Sequence, residues 1–234
     1  MVKVIAIIPA RSGSKSIKNK NLQKINGKSL LCRSIEFALS IKNINKVIVS
    51  TDSFKYQKLS LEHGAECPFL RPKKFAQDRS YDIDVFLHCL KWLKQNENYH
   101  PDIIINLRPT YPFRKKTDFI FALKKIIFDT RIDSIKSVYR IPFPLDKTWL
   151  INKKNFLRNA IHQKNDIEYW NFPRQELKNY FVQNGNIDIL RANLIYQKKM
   201  SGQKIYPIIQ DHFYDIDTWI DLKRVKKLKT SSKI

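Results

Sequence analysis

The sequence predicts a three-layer α/β fold around a mainly parallel sheet, and three observations carry that reading. Short apolar runs of β character alternate with stretches whose apolar residues recur at helical spacing. Such alternation suits right-handed strand–helix–strand crossovers. The first runs, "KVIAIIP" (3–9) and "KVIVSTD" (46–52), are largely apolar, as strands are when helices cover both faces.

The elements follow in order. After strand 3–9, Leu31, Ile35, Ala38 and Leu39 mark a helix, and strand 46–52 comes next. "CPFL" (67–70) reads as a further strand, followed by a helix through Phe86, Cys89, Leu90 and Leu93. "DIIINLRP" (102–109) and "SIKSVYRI" (134–141) are strands, with a helix through Phe119, Leu123 and Ile126 between them. The rhythm then breaks. Prolines and scattered aromatics over about 142–180 predict an excursion from the sheet, and its rings need a partner surface, which points to a homodimer. Strands resume at 180–190 and 204–209, and Leu222, Val225 and Leu228 mark a last helix with Lys near its end. The whole chain, 1–234, is expected to be one domain, and 43% hydrophobic residues suffice for its core.

Composition narrows the function. The formal charge of +23 invites a nucleic-acid partner, but 32 of the 44 basic residues are Lys, spread along the whole chain. A solvated basic surface therefore outweighs polyanion binding. A nucleic-acid module, the rival from another class, would interleave aromatics with cations on a platform, and no cluster here has that form. No apolar run approaches the ~18 residues of a membrane span. The N-terminus reads as a core strand without a signal-peptide pattern. Cys32, Cys67 and Cys89 lack metal-ligand spacing, so free thiols and a cytoplasmic location are expected.

The chemistry concentrates in two places. "IIPARSGSKSIKNKNL" (7–22) sets Arg11, Lys15, Lys18 and Lys20 directly behind a buried strand. In open α/β sheets ligands bind at such strand ends. Ala10, Arg11, Ser12, Gly13, Ser14 and Lys15 can turn backbone N–H groups and cations toward one anion, with Gly13 permitting close approach. Neither the Walker A loop nor the G-x-G-x-x-G fingerprint is present. The plain alternative is an exposed basic loop. In "FYDIDTWID", Asp215 and Asp217 lie two apart, so an extended backbone points both to one side, where they can address a hard cation such as Mg²⁺. The alternative is that Asp217 only caps the last helix. Asp52, in "STD", ends a strand near the same place, with a turn-stabilising role equally open.

The stretch "IPARSGSKSIKNKNL" resembles the opening motif of the CMP-N-acetylneuraminic acid synthetase family, with Arg11, Ser14, Lys15, Lys20 and Asn21 matching. "STD" (50–52), "RPKKFAQD" (71–78), "LRPTYPFR" (107–114), "PRQ" (173–175), "NG" (184–185) and "DIDT" (215–218) follow in that family's order. The resemblance spans residues 1 to about 225. It implies a Rossmann-like nucleotidyltransferase fold with a projecting dimerisation extension. It further implies transfer of CMP from CTP to the anomeric hydroxyl of an acidic 2-keto-3-deoxy sugar, with release of pyrophosphate.

By that resemblance Arg11, Lys15 and Lys20 stabilise charge on the phosphates, and Asn21, Arg71, Asp82 and Arg108 join the nucleotide site. Asp215 and Asp217 would hold Mg²⁺. Arg108, Lys147, Arg174, Gln175 and Asn184 would meet the sugar, Arg174 suiting its carboxylate because a guanidinium binds carboxylate bidentately. Three positions depart from the family. Arg108 stands where sialic acid enzymes often carry Gln, Val182 where they carry Arg, and Asp82 where they carry a small hydroxyl residue. The acceptor therefore stays open among sialic acid and related acids, as does a different nucleotide or sugar.

Overall fold

The structure, a computed structural model, describes residues 1–161, 167–212 and 214–228. Its elements in chain order are β1 (Val4–Pro9), β2 (Lys24–Ile25), β3 (Lys28–Ser29), α1 (Leu30–Leu39), β4 (Lys46–Ser50) and α2 (Phe54–Glu62). Then come α3 (Asp82–Glu97), β5 (Ile103–Asn106), α4 (Lys116–Phe128), β6 (Ser134–Arg140), β7 (Trp149–Ile151) and β8 (Leu157–Asn159). The chain continues with β9 (Phe181–Arg191), α5 (Asn193–Tyr196), β10 (Ile205–Gln210) and α6 (Trp219–Lys227).

Among the described residues the main sheet has six strands in the order β10-β6-β9-β5-β1-β4. Its neighbours run parallel except at β9, which is antiparallel to both β5 and β6. The expected α/β class holds, and the period-two alternation of the strands divides the core between two faces. Ala6 and Ile8 of β1 pack with Leu31, Ile35, Phe119 and Leu123 from α1 and α4, whereas Ile5 and Ile7 pack with Phe86, Leu90 and Leu93 of α3. A third cluster joins Ile17, Ile25 and Leu30 to Ile216, Leu222 and Val225. That cluster matters for function, because it draws the segment before α6 against the turn after β1.

Three sequence expectations change. Residues 67–70 form no strand: Glu66 and Leu70 make isolated bridges to Ile48 and Thr51, with Pro68 lacking an N–H to extend a ladder. Helix α2 was not anticipated, because "FKYQKLSLE" buries only Tyr56 and Ser60 and carries little amphipathic signal. Its start was nonetheless visible in Ser53, whose hydroxyl accepts from the Tyr56 amide. The last helix is α6 as expected, but its cap is Thr218 in a capping box with Asp221, which leaves the Asp217 carboxylate out of the cap.

The excursion at 142–180 carries the antiparallel pair β7–β8, apart from the main sheet. Residues 162–166 of it lie outside the described residues. Phe143, Leu150, Ile151, Phe156 and Leu157 are exposed there. Cys32, Cys67 and Cys89 are buried free thiols, and burial pushes the Cys67 thiol up to about 11. Among the described residues no helix is long and apolar enough to cross a membrane.

Candidate active site

A cavity of about 610 Å³ opens beyond the carboxyl ends of β1 and β5, a volume suited to a small-molecule ligand. The turn after β1 forms one wall and is held by side chains rather than by regular structure. Asp52 accepts from the Ser12 amide at 2.8 Å and from the Ser12 hydroxyl at 2.9 Å. Buried Asn21 donates to the Arg11 carbonyl at 3.0 Å. Ala10 is buried below, its amide bonded to the Ser50 carbonyl at 2.9 Å. Asn19 adopts a left-handed φ of 52° and swings the chain into a short 3-10 turn that starts at Lys20. Arg11, Ser14, Lys15, Lys20 and Asn21 consequently line one cavity. A Cβ built on Gly13 meets nothing within 4 Å, so space around the turn stays open.

Three cations of this wall meet carboxylates. Arg11 Nη1 lies 2.7 Å from Asp78 Oδ1, and Lys15 Nζ lies 2.5 Å from Asp78 Oδ2. Hydrogen bonds from Lys15 and Arg11 hold Asp78 below its ordinary range. Lys20 Nζ bonds the Ile216 carbonyl at 3.1 Å and Asp217 Oδ1 at 3.0 Å.

Asp215 sits behind Asp217. Burial raises its pKa, the Thr110 hydroxyl opposes that shift, and the negative charge of Asp217 adds to it. Two carboxylates that repel each other, Asp217 in the cavity lining and Asp215 behind it, suit one hard cation. Among the described residues no three acidic, His or Cys side chains gather to hold a metal alone. Mg²⁺ takes one or two carboxylates and completes its shell with phosphate oxygens and water, so the donor set of Asp215 and Asp217 fits it.

The opposite wall carries Arg108, 2.8 Å from Asp82 and 3.9 Å from Asp188. Burial alone would lower its pKa, but the charges of Asp82, Asp188 and Asp215 raise it on balance. Asp82 is the first residue of α3, a helix N-terminus where a carboxylate is favoured. Buried Arg114 fixes this segment by donating to the Arg108 carbonyl at 2.5 Å; burial lowers its pKa to about 9.

Other expected residues stand differently. Arg71 borders the cavity, but its guanidinium is buried and donates to the Ser50 hydroxyl and carbonyl and to the Phe75 carbonyl. Three of its five N–H donors hold the backbone and Ser50, and it still lines the cavity. Asn184 is 1% exposed and points inward, donating to Gln210 at 2.9 Å and accepting from the Ser137 hydroxyl. Lys147, Arg174 and Gln175 are exposed on the excursion and do not line the cavity. Arg174 is turned back to the Pro142 carbonyl at 2.6 Å. The excursion leaves the sheet, which is why these three do not reach their own chain's cavity.

Sequence reasoning missed Asp78, although it closes the quoted "RPKKFAQD". It also missed Lys136 and Asp188, whose signal was a lone charge inside an apolar strand.

A family model described as cytidylyltransferase matches residues 5–214. The chain belongs to this family. An N-acylneuraminate cytidylyltransferase of Escherichia coli O18:K1:H7 is 32% identical over 224 residues, covering 94% of this chain and 51% of that protein. The chain thus spans about half the length of that relative. A CMP-N,N'-diacetyllegionaminic acid synthase of Legionella pneumophila is 29% identical over 234 residues, covering 97% of this chain and 96% of the other. The fold of this cytidylyltransferase matches a CMP:2-keto-3-deoxy-manno-octonic acid synthetase solved with CTP, at a TM-score of 0.68 and 18% identity, over 96% of this chain and 97% of that one.

Proposed function

We propose that this cytidylyltransferase moves CMP from CTP to the anomeric hydroxyl of an acidic 2-keto-3-deoxy sugar and releases pyrophosphate. The observation that carries the reading is the convergence of Arg11, Lys15 and Lys20 with Asp217 on one cavity at the strand ends. The named relatives act on N-acylneuraminate and diacetyllegionaminic acid, and others on pseudaminic acid. An acceptor of that acidic class agrees with the basic site.

In the proposed step the sugar hydroxyl attacks the α-phosphorus and gives its proton to solvent. The bond between the α-phosphorus and the oxygen bridging to the β-phosphate breaks, and that oxygen leaves with pyrophosphate. Negative charge gathers on the phosphoryl oxygens and on the departing pyrophosphate. Arg11 and Lys15 exchange Asp78 for phosphate oxygens, and Lys20 exchanges Asp217 for the separating groups. Such fixed cations stabilise the transition state more than the ground state, which is how they accelerate the step. Asp215 and Asp217 would hold Mg²⁺, which supplies charge neutralisation at the phosphates when bound. Arg108 faces the sugar. The excursion at 142–180 would join two copies into a homodimer, where Lys147, Arg174 and Gln175 could reach the partner's cavity. A cytoplasmic location agrees with three free thiols.

The test is a pyrophosphate-release panel of four nucleoside triphosphates against N-acetylneuraminate, N,N'-diacetyllegionaminate and pseudaminate, with and without Mg²⁺. Release with CTP, Mg²⁺ and one of the acids is expected. Release from another nucleotide in preference to CTP, or from none, overturns the reading. Tight, steeply salt-dependent binding of single-stranded nucleic acid would instead favour the rival class.

A further inference from the structure

Four charges alternate across the sheet below the cavity. Lys136 on β6 lies 2.6 Å from Asp188 on β9, and its side chain is 11% exposed while that of Asp188 is 1%. The second oxygen of Asp188 accepts from Asn106 of β5 at 3.0 Å and faces Arg108 at 3.9 Å. Arg108 then reaches Asp82 at 2.8 Å. Lys136 and Asp188 are direct cross-strand partners. They share one face of the sheet, opposite the face of Ile135 and Ile189.

A buried ion pair of this kind is costly to desolvate, and an apolar pair of equal volume is often no less stable. Its position indicates a use. Asp188 is the inner carboxylate against Arg108, and Lys136 with Asn106 fixes Asp188 from behind. Gly185 borders the other side: a Cβ there would make ordinary van der Waals contact at 3.6 Å with Arg108 Nη1, and its φ of 74° is what favours glycine.

We propose that Asp188 and Lys136 are positioning residues which orient the Arg108 guanidinium, and that Arg108 so held selects the acceptor through its carboxylate. The inference rests on the cytidylyl-transfer reading. It moves carboxylate recognition from Arg174, which does not line the cavity, to a residue that does. Asp82 and Asp188 both lie at Arg108 Nη2, so the guanidinium still has donors at Nη1 and Nε for an incoming carboxylate, and planar pairing discriminates a carboxylate from a hydroxyl.

The decisive variants are Arg108→Gln, Asp188→Asn and the double variant Asp188→Asn/Lys136→Met, which removes both buried charges while keeping volume. The double variant is expected to fold at least as well as Asp188→Asn. In steady-state pyrophosphate release with CTP and the best of the three acids, both Asp188 variants should raise the acceptor KM about 10-fold or more. The KM for CTP should stay within about twofold. A well-folded double variant with wild-type acceptor KM would show the pair to be structural only, and equal losses for CTP and acceptor would also overturn the proposal. Nitrogen-15 spectra of the arginine side chains give a second readout that needs no turnover. The Arg108 signal, assigned by its loss in Arg108→Gln, should report a rotationally restricted guanidinium in wild type and a measurably less restricted one in the double variant, where Asp82 alone still holds it. Equal restriction in both contradicts the positioning role. Absence of turnover in wild type with all three acids would instead fail the functional reading, while the spectra still decide the positioning.

Discussion

The cations on the two walls of the cavity are held in contrasting ways. Arg11, Lys15 and Lys20 rest on Asp78 and Asp217, whose side chains are 36% and 72% exposed. Arg108 bonds Asp82, itself 39% exposed, at 2.8 Å, but it also faces Asp188 at 3.9 Å, and Asp188 is buried on the sheet. Exposed ion pairs contribute roughly 0–1 kcal/mol, so a ligand phosphate can replace their carboxylates at little cost. Buried pairs resist separation, because release leaves a charge without solvent or partner. The difference teaches that the first wall can exchange all its carboxylate partners, whereas Arg108 can exchange Asp82 but keeps the buried Asp188 behind it. In the proposed reaction, nucleotide capture and acceptor choice therefore use separate groups.

The comparison breaks most visibly at Lys20. Lys20→Met keeps the stem and deletes the charge, and kcat is expected to fall by ~10²–10³-fold, the scale of one strong transition-state contact. Exposed Lys18 is the control, since it contributes only its carbonyl, to Gln23. Lys18→Met should stay within about threefold of wild type, and equal losses in both would mean diffuse charge attraction. Asp217→Asn comes next. Thr218 and Asp221 cap α6 without it, so thermal stability should hold while Mg²⁺-dependent turnover drops by ~100-fold. Turnover within threefold of wild type would remove Asp217 from the metal site. A smaller effect is expected at the excursion. Ile151 is 72% exposed on β7, and Ile151→Lys should turn a dimer into a monomer by light scattering. A wild-type protein that is monomeric at micromolar concentration refutes the dimer outright.

The exchangeable wall was legible in spacing, whereas on the other wall the family resemblance named Arg108 and Asp82 but nothing named Asp188 and Lys136. Arg11, Lys15 and Lys20 crowd a single turn, so spacing alone brought them together. The partner of two of them, Asp78, sits more than sixty residues away, and only the 71–78 segment folding back over β4 delivers it. Lys136, Asp188 and Arg108 come from three separate chain segments. Their meeting depends on β9 entering antiparallel between β5 and β6, which no local pattern announces. The strands were readable because their apolar runs are continuous. The 67–70 segment was misread for the same reason, since four apolar-looking residues cannot reveal that Pro68 prevents a ladder. Asp217 showed the reverse case: the capping alternative was reasonable from sequence, and the geometry of Thr218 removed it.

Equilibrium binding of CTP by calorimetry, in Mg²⁺ and without acceptor, tests most directly whether the first wall exchanges its carboxylates for phosphate. Asp78→Asn removes the competing anion from Arg11 and Lys15 while Asp52 still holds the loop through Ser12. It should tighten CTP binding by about 3–10-fold, whereas Lys20→Met should weaken it. Opposite changes in the two variants are the expected result. A loss of CTP affinity in both, or no change in either, would contradict the account.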